Sequence, residues 1–232
     1  MTMRRSVIFD LDGTLTDSKP GILGCLTKSL EAHRIPWTGP LDWFIGPPAE
    51  QSFRRLMPDA DEASRLALLQ HYRRCYDLTG WQENSVYPGI YALLESLKAS
   101  GLPLFVCTSK REDFTLRILE KFELSRYFVA VYADTVGGLQ HSKTALLRRL
   151  LEEQSLDPAT TLMVGDRKFD IEAARTNGLT SIAVTYGYGT SEELEAACPD
   201  HICHVVEELL PLLCALADSS PAPPKVASPA SG

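Results

Sequence analysis

The sequence predicts an α/β fold: a parallel sheet covered by helices on both faces, with an α-helical subdomain inserted after the first strand. Three observations carry this expectation. From residue 88 onward, short apolar, β-branched runs alternate with amphipathic helical segments. That alternation is interrupted once, by a helical block over residues 16–87. The strand-like runs also end in polar residues, as happens where a ligand site forms beyond the carboxyl edge of an open sheet.

In chain order, "RRSVIF" is a short buried strand ending at Asp10. "DSKP", Asp17 to Pro20, starts a helix, with polar caps and then proline in the first turn. Ile22, Leu23, Leu26 and Leu30 continue it at helical spacing. The Pro/Gly/Trp-rich stretch "IPWTGPLDWFIGPP" precedes helices over 49–57 and 61–76, and "GWQENSVYPGI" breaks the pattern again. Ile90, Leu93, Leu94 and Leu97 mark a helix closed by Gly101. Then come the strand "LPLFVCTS", a helix over 113–122, the strand "FVAVYA", a helix over 144–154 and the strand "TLMVGD". A helix over 169–177 stops at Gly178 and leads to the strand "TSIAV". A short helix over 192–197, a last strand "HIC" and a last helix over 205–216 complete the series. The expected organisation is a core of residues 1–15 and 88–217, a helical cap of 16–87, and a tail of 218–232. The tail, which ends "PAPPKVASPASG", is rich in Pro, Ser and Ala. It has too few large apolar residues to order itself and is expected to be disordered.

Composition narrows the partners. The 232 residues carry a net charge of -7, which argues against a nucleic-acid backbone binder. Local charge at a site can still oppose the global charge, so a small phosphorylated substrate fits. The six cysteines include no CxxC pair, and they read as scattered thiols in a reducing compartment. No secretory h-region follows "MTMRR", and no apolar run approaches the ~18 residues of a membrane span. A cytoplasmic protein with no membrane partner is expected.

The chemistry sits at the predicted strand ends. Asp10 and Asp12 close the first strand, Thr108 and Ser109 the next, and Asp166 a later one, with Asp170 in the turn after it. Lys143 opens the helix after "VYADTVGGLQHS". Carboxylates gathered at one spot repel each other, and a hard divalent cation relieves them. Oxygen ligands suit Mg²⁺, which favours sites shared with phosphates. Hydroxyls and a lysine hold phosphate oxygens, and Gly13 lets the backbone turn tightly toward an anion. Taken singly, each residue has a plainer explanation. "DLDGT" is turn-forming, Thr108 caps the next helix, Lys143 is a solvated lysine, and Asp170 favours a helix N-terminus.

Together, "DLDGTLTDS", "VCTSK", the lysine of "QHSKTALL" and "VGDRKFDIEAA" resemble the four motifs of the haloacid-dehalogenase-like (HAD) phosphohydrolase superfamily, in that family's order. The resemblance spans about residues 5 to 216. "LTDSKPG" and "TYGYG" are similar to phosphoglycolate phosphatases. "WFIGPPAEQSF" looks like a branch described as 5′-nucleotidases or general phosphatases. The resemblance implies a Rossmann-like core with a helical cap, and a Mg²⁺-dependent phosphatase acting on a small phosphorylated metabolite. Asp10 would be the nucleophile and Asp12 the general acid and base. Asp10, the Asp12 backbone carbonyl and Asp166 would bind the metal, with Asp170 in support. Thr108 and Ser109 would hold the phosphoryl group, and Lys143 would neutralise both Asp10 and the phosphate. The cap would close over the substrate. A monomer and a homodimer are both compatible with this.

Other functions fit less well. Dehalogenases of the superfamily lack the second aspartate, so Asp12 speaks against that reaction. A phosphosugar mutase would keep both aspartates. Phosphonate hydrolysis would want a cap lysine in an apolar pocket, for which Lys19 and Lys28 are the candidates. A non-catalytic phosphate-binding regulator would be expected to lose Asp10 or Asp12, and a receiver domain would be about half this length. The five histidines lack metal-ligand spacing and read as surface or structural. Trp37, Trp43 and Phe44 read as packing. Arg54 and Arg55 either lie on a solvated face or reach an anionic substrate. Gly46, Pro47 and Pro48 form a candidate substrate-facing loop, and Tyr186 to Gly189 either line the site or form a simple turn.

Overall fold

The computed structural model describes residues 5–47, 49–135 and 142–218. Six parallel strands form the sheet: β1 (Ser6–Phe9), β4 (Leu104–Arg111), β5 (Ala130–Asp134), β6 (Thr161–Gly165), β7 (Thr180–Val184) and β8 (His201–Cys203). Their order is β5-β4-β1-β6-β7-β8, so β1 is central, with β4 and β5 to one side and β6 to β8 to the other. The chain therefore leaves in opposite directions on the two sides of the β1/β6 pair. That divergence opens a crevice at the carboxyl ends of these strands.

Alternation along the strands explains why both faces are buried. Val7 and Phe9 join Leu104, Val106, Leu162, Val164, Ile182 and Val184 on one face. There they meet α4 (Ile90–Ala99), α5 (Glu112–Lys121) and α9 (Leu209–Asp218). Ile8, Phe105, Cys107 and Met163 point the other way. They pack on α6 (Lys143–Glu153) and α7 (Lys168–Asn177). A short helix, α8 (Ser191–Ala197), packs on Ala183 and Ile171.

Between β1 and α4 the chain makes a separate apolar cluster. It is built from α1 (Lys19–Ala32), α2 (Ala49–Leu56) and α3 (Glu62–Leu78). The entry and exit of this block are joined by a two-stranded ribbon, β2 (Thr16–Asp17) with β3 (Ser85–Val86). Sequence periodicity misses this ribbon, because two residues are too few to show alternation. Asp17 accordingly lies in a strand, and α1 starts at Lys19 with Pro20 in its first turn. The other departures are local. β4 runs on to Arg111 through a register shift after Cys107, and the last helix is a 3-10 turn followed by α9. Asp218, assigned to the tail, ends α9; residues 219–232 lie outside the described residues.

The insert's core is aromatic. Phe53 is buried and meets Phe44 and Tyr72 with ring centroids 5.1 and 5.6 Å apart, both edge-on. Phe53→Ala is expected to lower stability by about 3–5 kcal/mol, because the cavity left among fixed rings cannot collapse. Urea unfolding followed by fluorescence checks this; a loss under about 1 kcal/mol would mean that the site relaxes freely.

Candidate active site

The site begins where β1 stops. The Asp10 amide donates to the Val164 carbonyl at 2.9 Å, continuing the pairing with β6 past the strand end. Asp10 Oδ1 accepts from the Leu11 amide at 2.7 Å, which fixes the carboxylate's orientation. The chain then turns so tightly that the Leu15 and Thr16 amides both donate to the Leu11 carbonyl. Gly13 makes the turn possible. Its φ is +84°, and a Cβ there would overlap Asp166 Oδ2. From the other side a Cβ on Gly187 would overlap the Gly13 carbonyl and Asp166. Two glycines thus let the loops after β1 and β7 close around one carboxylate.

The segment Tyr186 to Gly189 is a structural wall of this centre. The Tyr188 amide donates to Asp166 Oδ2 at 2.7 Å. The Tyr188 hydroxyl accepts from the Ser18 amide at 2.7 Å and donates to Asp17 Oδ1 at 2.9 Å. The Tyr186 hydroxyl donates to the Thr14 carbonyl at 2.9 Å.

Asp10, Asp166 and Asp170 are buried, and each brings a carboxylate oxygen within 4.8 Å of the other two. Lys143, at the start of α6, is also buried, with Nζ 2.8 Å from Asp10 Oδ2 and in contact with Asp170 Oδ1. It is therefore not a solvated lysine. Ser142 caps its helix by accepting from the Ala145 amide. Asp170 serves twice: Oδ2 accepts from the Arg167 amide at 3.0 Å, capping α7, while Oδ1 faces Lys143. Three carboxylates against one ammonium leave a buried centre with net negative charge. Burial, with Asp170 and Asp12 adding to it, outweighs Lys143 and pushes the Asp10 carboxyl up to about 6. Burial, then Asp170 and Asp10, hold Asp166 well above the usual carboxylate range. Burial acts to lower the Lys143 ammonium, but Asp10 and Asp170 reverse this and raise it. Asp166 Oδ1 is buried with no hydrogen-bond partner among the described residues. An oxygen-only donor set, an excess of negative charge and this orphaned oxygen together fit a hard divalent cation.

Asp12 stands apart. Its side chain is not in the acidic cluster but turns to the Ser18 hydroxyl and to Lys110, whose Nζ lies 2.8 and 3.2 Å from its two oxygens. Thr108 is buried and accepts from the Lys110 amide at 3.2 Å. It does not cap α5, which starts at Glu112. Asp10, Asp12, Thr108 and Ser109 open together onto a cavity of about 370 Å³. Its far wall comes from the insert: Gly46, Pro47, Phe44, Glu50, Tyr72, Arg73 and Tyr76. Phe44 thus combines packing with cavity lining; Pro48 and His141 lie outside the described residues.

Several site residues escape the sequence reading. Lys110 is one: it follows the register shift in β4, where Thr108 to Arg111 all line the cavity. Tyr72 and Tyr76, one helical turn apart on α3, look like ordinary core positions. Arg54 and Arg55 are exposed on α2, with Arg55 over the Trp43 ring, and the cavity's arginines are Arg73 and Arg111 instead. Lys19 pairs with Asp42 and Lys28 is exposed, so neither supplies the buried amine of a phosphonate hydrolase. Among the described residues no helix is long and apolar enough to cross a membrane.

A family profile described as "Haloacid dehalogenase-like hydrolase" matches residues 7–184. The chain belongs to this family. It is 40% identical over 200 residues to a 5′-nucleotidase of Pseudomonas aeruginosa, covering 85% of this chain and 90% of that one. It is 31% identical over 235 residues to a phosphoglycolate phosphatase of Escherichia coli (strain K12), covering 90% and 92%. In structure it is similar to a predicted phosphatase from Clostridium acetobutylicum, with a TM-score of 0.86, 38% identity, and coverage of 92% of this chain and 100% of that one. The six-stranded parallel sheet flanked by helices matches the fold of this structural neighbour.

Charge imbalance predicts opposite effects of two substitutions in the metal-free protein. Lys143→Met leaves buried carboxylates without their cation and is expected to cost about 3–5 kcal/mol. Asp166→Asn removes one of the repelling charges while an amide oxygen can still accept from Tyr188, and it is expected to raise stability by about 1 kcal/mol. Chemical denaturation in EDTA checks both; the same sign for the two would contradict a repulsive centre.

Proposed function

We propose that the protein is a Mg²⁺-dependent phosphomonoester hydrolase working through an aspartyl-phosphate on Asp10. The observation that carries this is the convergence of Asp10, Lys143, Asp166 and Asp170 in one buried centre, whose Asp10 also lines the cavity. The names of the relatives, a 5′-nucleotidase and a phosphoglycolate phosphatase, support it. Asp10, Asp166 and the Asp12 backbone carbonyl would hold Mg²⁺, with Asp170 behind them. When bound, the ion would neutralise the carboxylates and the phosphate oxygens.

Asp10, oriented by the Leu11 amide and Lys143, attacks phosphorus. A bond forms between its carboxylate oxygen and phosphorus, and the ester P–O bond breaks. Asp12 delivers a proton to the departing oxygen. Water then attacks the aspartyl-phosphate as Asp12 takes its proton, releasing phosphate and restoring Asp10. Thr108, Ser109 and Lys143 hold the phosphoryl oxygens through the transfer. Lys110 and Ser18 hold the Asp12 carboxylate on the cavity side. The cap of residues 16–87 supplies the far wall and would exclude water on closing.

Phosphate release from small phosphate esters is expected to require Mg²⁺, to stop in EDTA, and to fall by about 10⁴ or more in Asp10→Asn. Turnover that survives Asp10→Asn would overturn the aspartyl-phosphate route.

Metal binding is also expected to depend on pH. In the metal-free protein Asp10 takes up a proton below about 6, against 3.8 for a free carboxyl. Between those values the folded state holds the extra proton, so through this group metal-free stability falls as pH rises from about 4 to 6. Mg²⁺ needs the ionised form. At a hundredfold excess over Kd, Mg²⁺ is expected to add ~2.7 kcal/mol at pH 7.5 and much less at pH 5. Thermal melts with Mg²⁺ and with EDTA at both pH values check this; equal shifts would remove Asp10 from the metal site.

A further inference from the structure

We infer that the cavity over Asp10 takes a phosphate monoester whose leaving group carries a flat, uncharged ring, with Phe44, Tyr72, Tyr76 and Phe114 as the ring's subsite. This rests on the phosphomonoesterase reading above and names the substrate class for it.

The first observation is a continuous aromatic wall. Phe44 meets Tyr72 edge-on at 5.5 Å, Tyr72 stacks on Tyr76 at 6.0 Å, and Tyr76 meets Phe114 edge-on at 4.9 Å. All four rings line the cavity and are themselves nearly buried, so the wall is pre-formed. It runs from the insert, which supplies Phe44, Tyr72 and Tyr76, across to Phe114 on α5 of the core. Such a surface favours a flat ring by stacking and edge contacts, at little ordering cost.

The second observation is how the cavity's cations are used. Each of the three has a carboxylate partner: Lys110 with Asp12, Arg73 with Glu50, and Arg111 with Asp113. Two also lie over rings of the wall, Lys110 over Tyr76 at 4.8 Å and Arg111 over Phe114 at 4.6 Å. A leaving group bearing its own carboxylate would have to compete with these pairs and would face Asp12 and Glu50 besides. A neutral ring disturbs none of them. The cavity's size agrees. About 370 Å³ falls in the range of pockets that enclose a ring-sized ligand, and a two-carbon ester would leave the aromatic wall untouched.

The ring could be the base of a nucleoside 5′-monophosphate or the arene of an aryl phosphate, since both present the same flat face. The test is kcat/KM with Mg²⁺ for uridine 5′-monophosphate, ribose 5-phosphate, phenyl phosphate and 2-phosphoglycolate. The first two release the same kind of primary alcohol, so their ratio isolates the ring. It is expected to be about tenfold or more, with 2-phosphoglycolate no better than ribose 5-phosphate. Phe114→Leu is expected to draw the uridine-to-ribose ratio toward one. Because the ratio is taken within one preparation, partial misfolding cancels. If Phe114→Leu also lowers phenyl phosphate relative to ribose 5-phosphate, the subsite accepts any arene; if not, it is built for a nucleobase, and either result supports a ring subsite. Ribose 5-phosphate or 2-phosphoglycolate matching the nucleotide, or a ratio unmoved by Phe114→Leu, would overturn the inference while leaving the phosphatase reading intact. Hydrolysis of none of the four esters would overturn that reading and this one with it.

Discussion

Everything around the site depends on three buried carboxylates held together against their own repulsion. Asp10, Asp166 and Asp170 share one small volume with Lys143 as their only close ammonium among the described residues. Repulsion at such distances in a buried setting is worth several kcal/mol unless protons or cations relieve it. The fold resists it with backbone. The Leu11, Arg167 and Tyr188 amides each bind one carboxylate oxygen, so no carboxylate in the centre can swing away without losing a hydrogen bond. The centre is thus a place where stability is lower than the packing alone would allow, as is common at functional sites.

Close packing around that centre explains the residue types in the loops. Gly13 and Gly187 are needed because side chains there would occupy the volume of Asp166 and of each other's loop. Tyr188 links the core to the root of the insert. Its amide holds Asp166 in the core, while its hydroxyl holds Ser18 and Asp17 at the root of the insert. The acidic centre and the β2–β3 ribbon are thereby coupled through one side chain.

The cavity above the centre belongs to neither unit alone. Its floor is polar and comes from strand ends, and its wall is aromatic and comes mainly from α3 and the loop before α2. The polar groups are therefore fixed by the sheet, whereas most of the aromatic wall is carried by the insert.

How much of this was legible in the residues follows from the range of the signals. The short apolar run before Asp10, its alternation with later helical segments, and the 3.6-residue spacing in α1 and α4 are local, and they predicted the parallel sheet and the inserted helices. The polar endings at Asp10, Asp12, Thr108, Asp166 and Asp170 were equally local, since the sheet rule brings strand ends to one edge. The β2–β3 ribbon was not legible, because its pairing joins residues about 70 apart in the chain with two residues on each side. Neither was the partnership of Lys110 with Asp12, nor the joining of Tyr76 to Phe114, each of which spans the boundary between insert and core or between separate strands. By itself, then, the sequence determined the architecture and the polar groups at the strand ends, because periodicity and strand-end residue types are written within a few residues. Only the tertiary structure decided which cations are already paired, which oxygen is left unpartnered and which rings face the cavity, because these depend on distances between segments that no local pattern encodes.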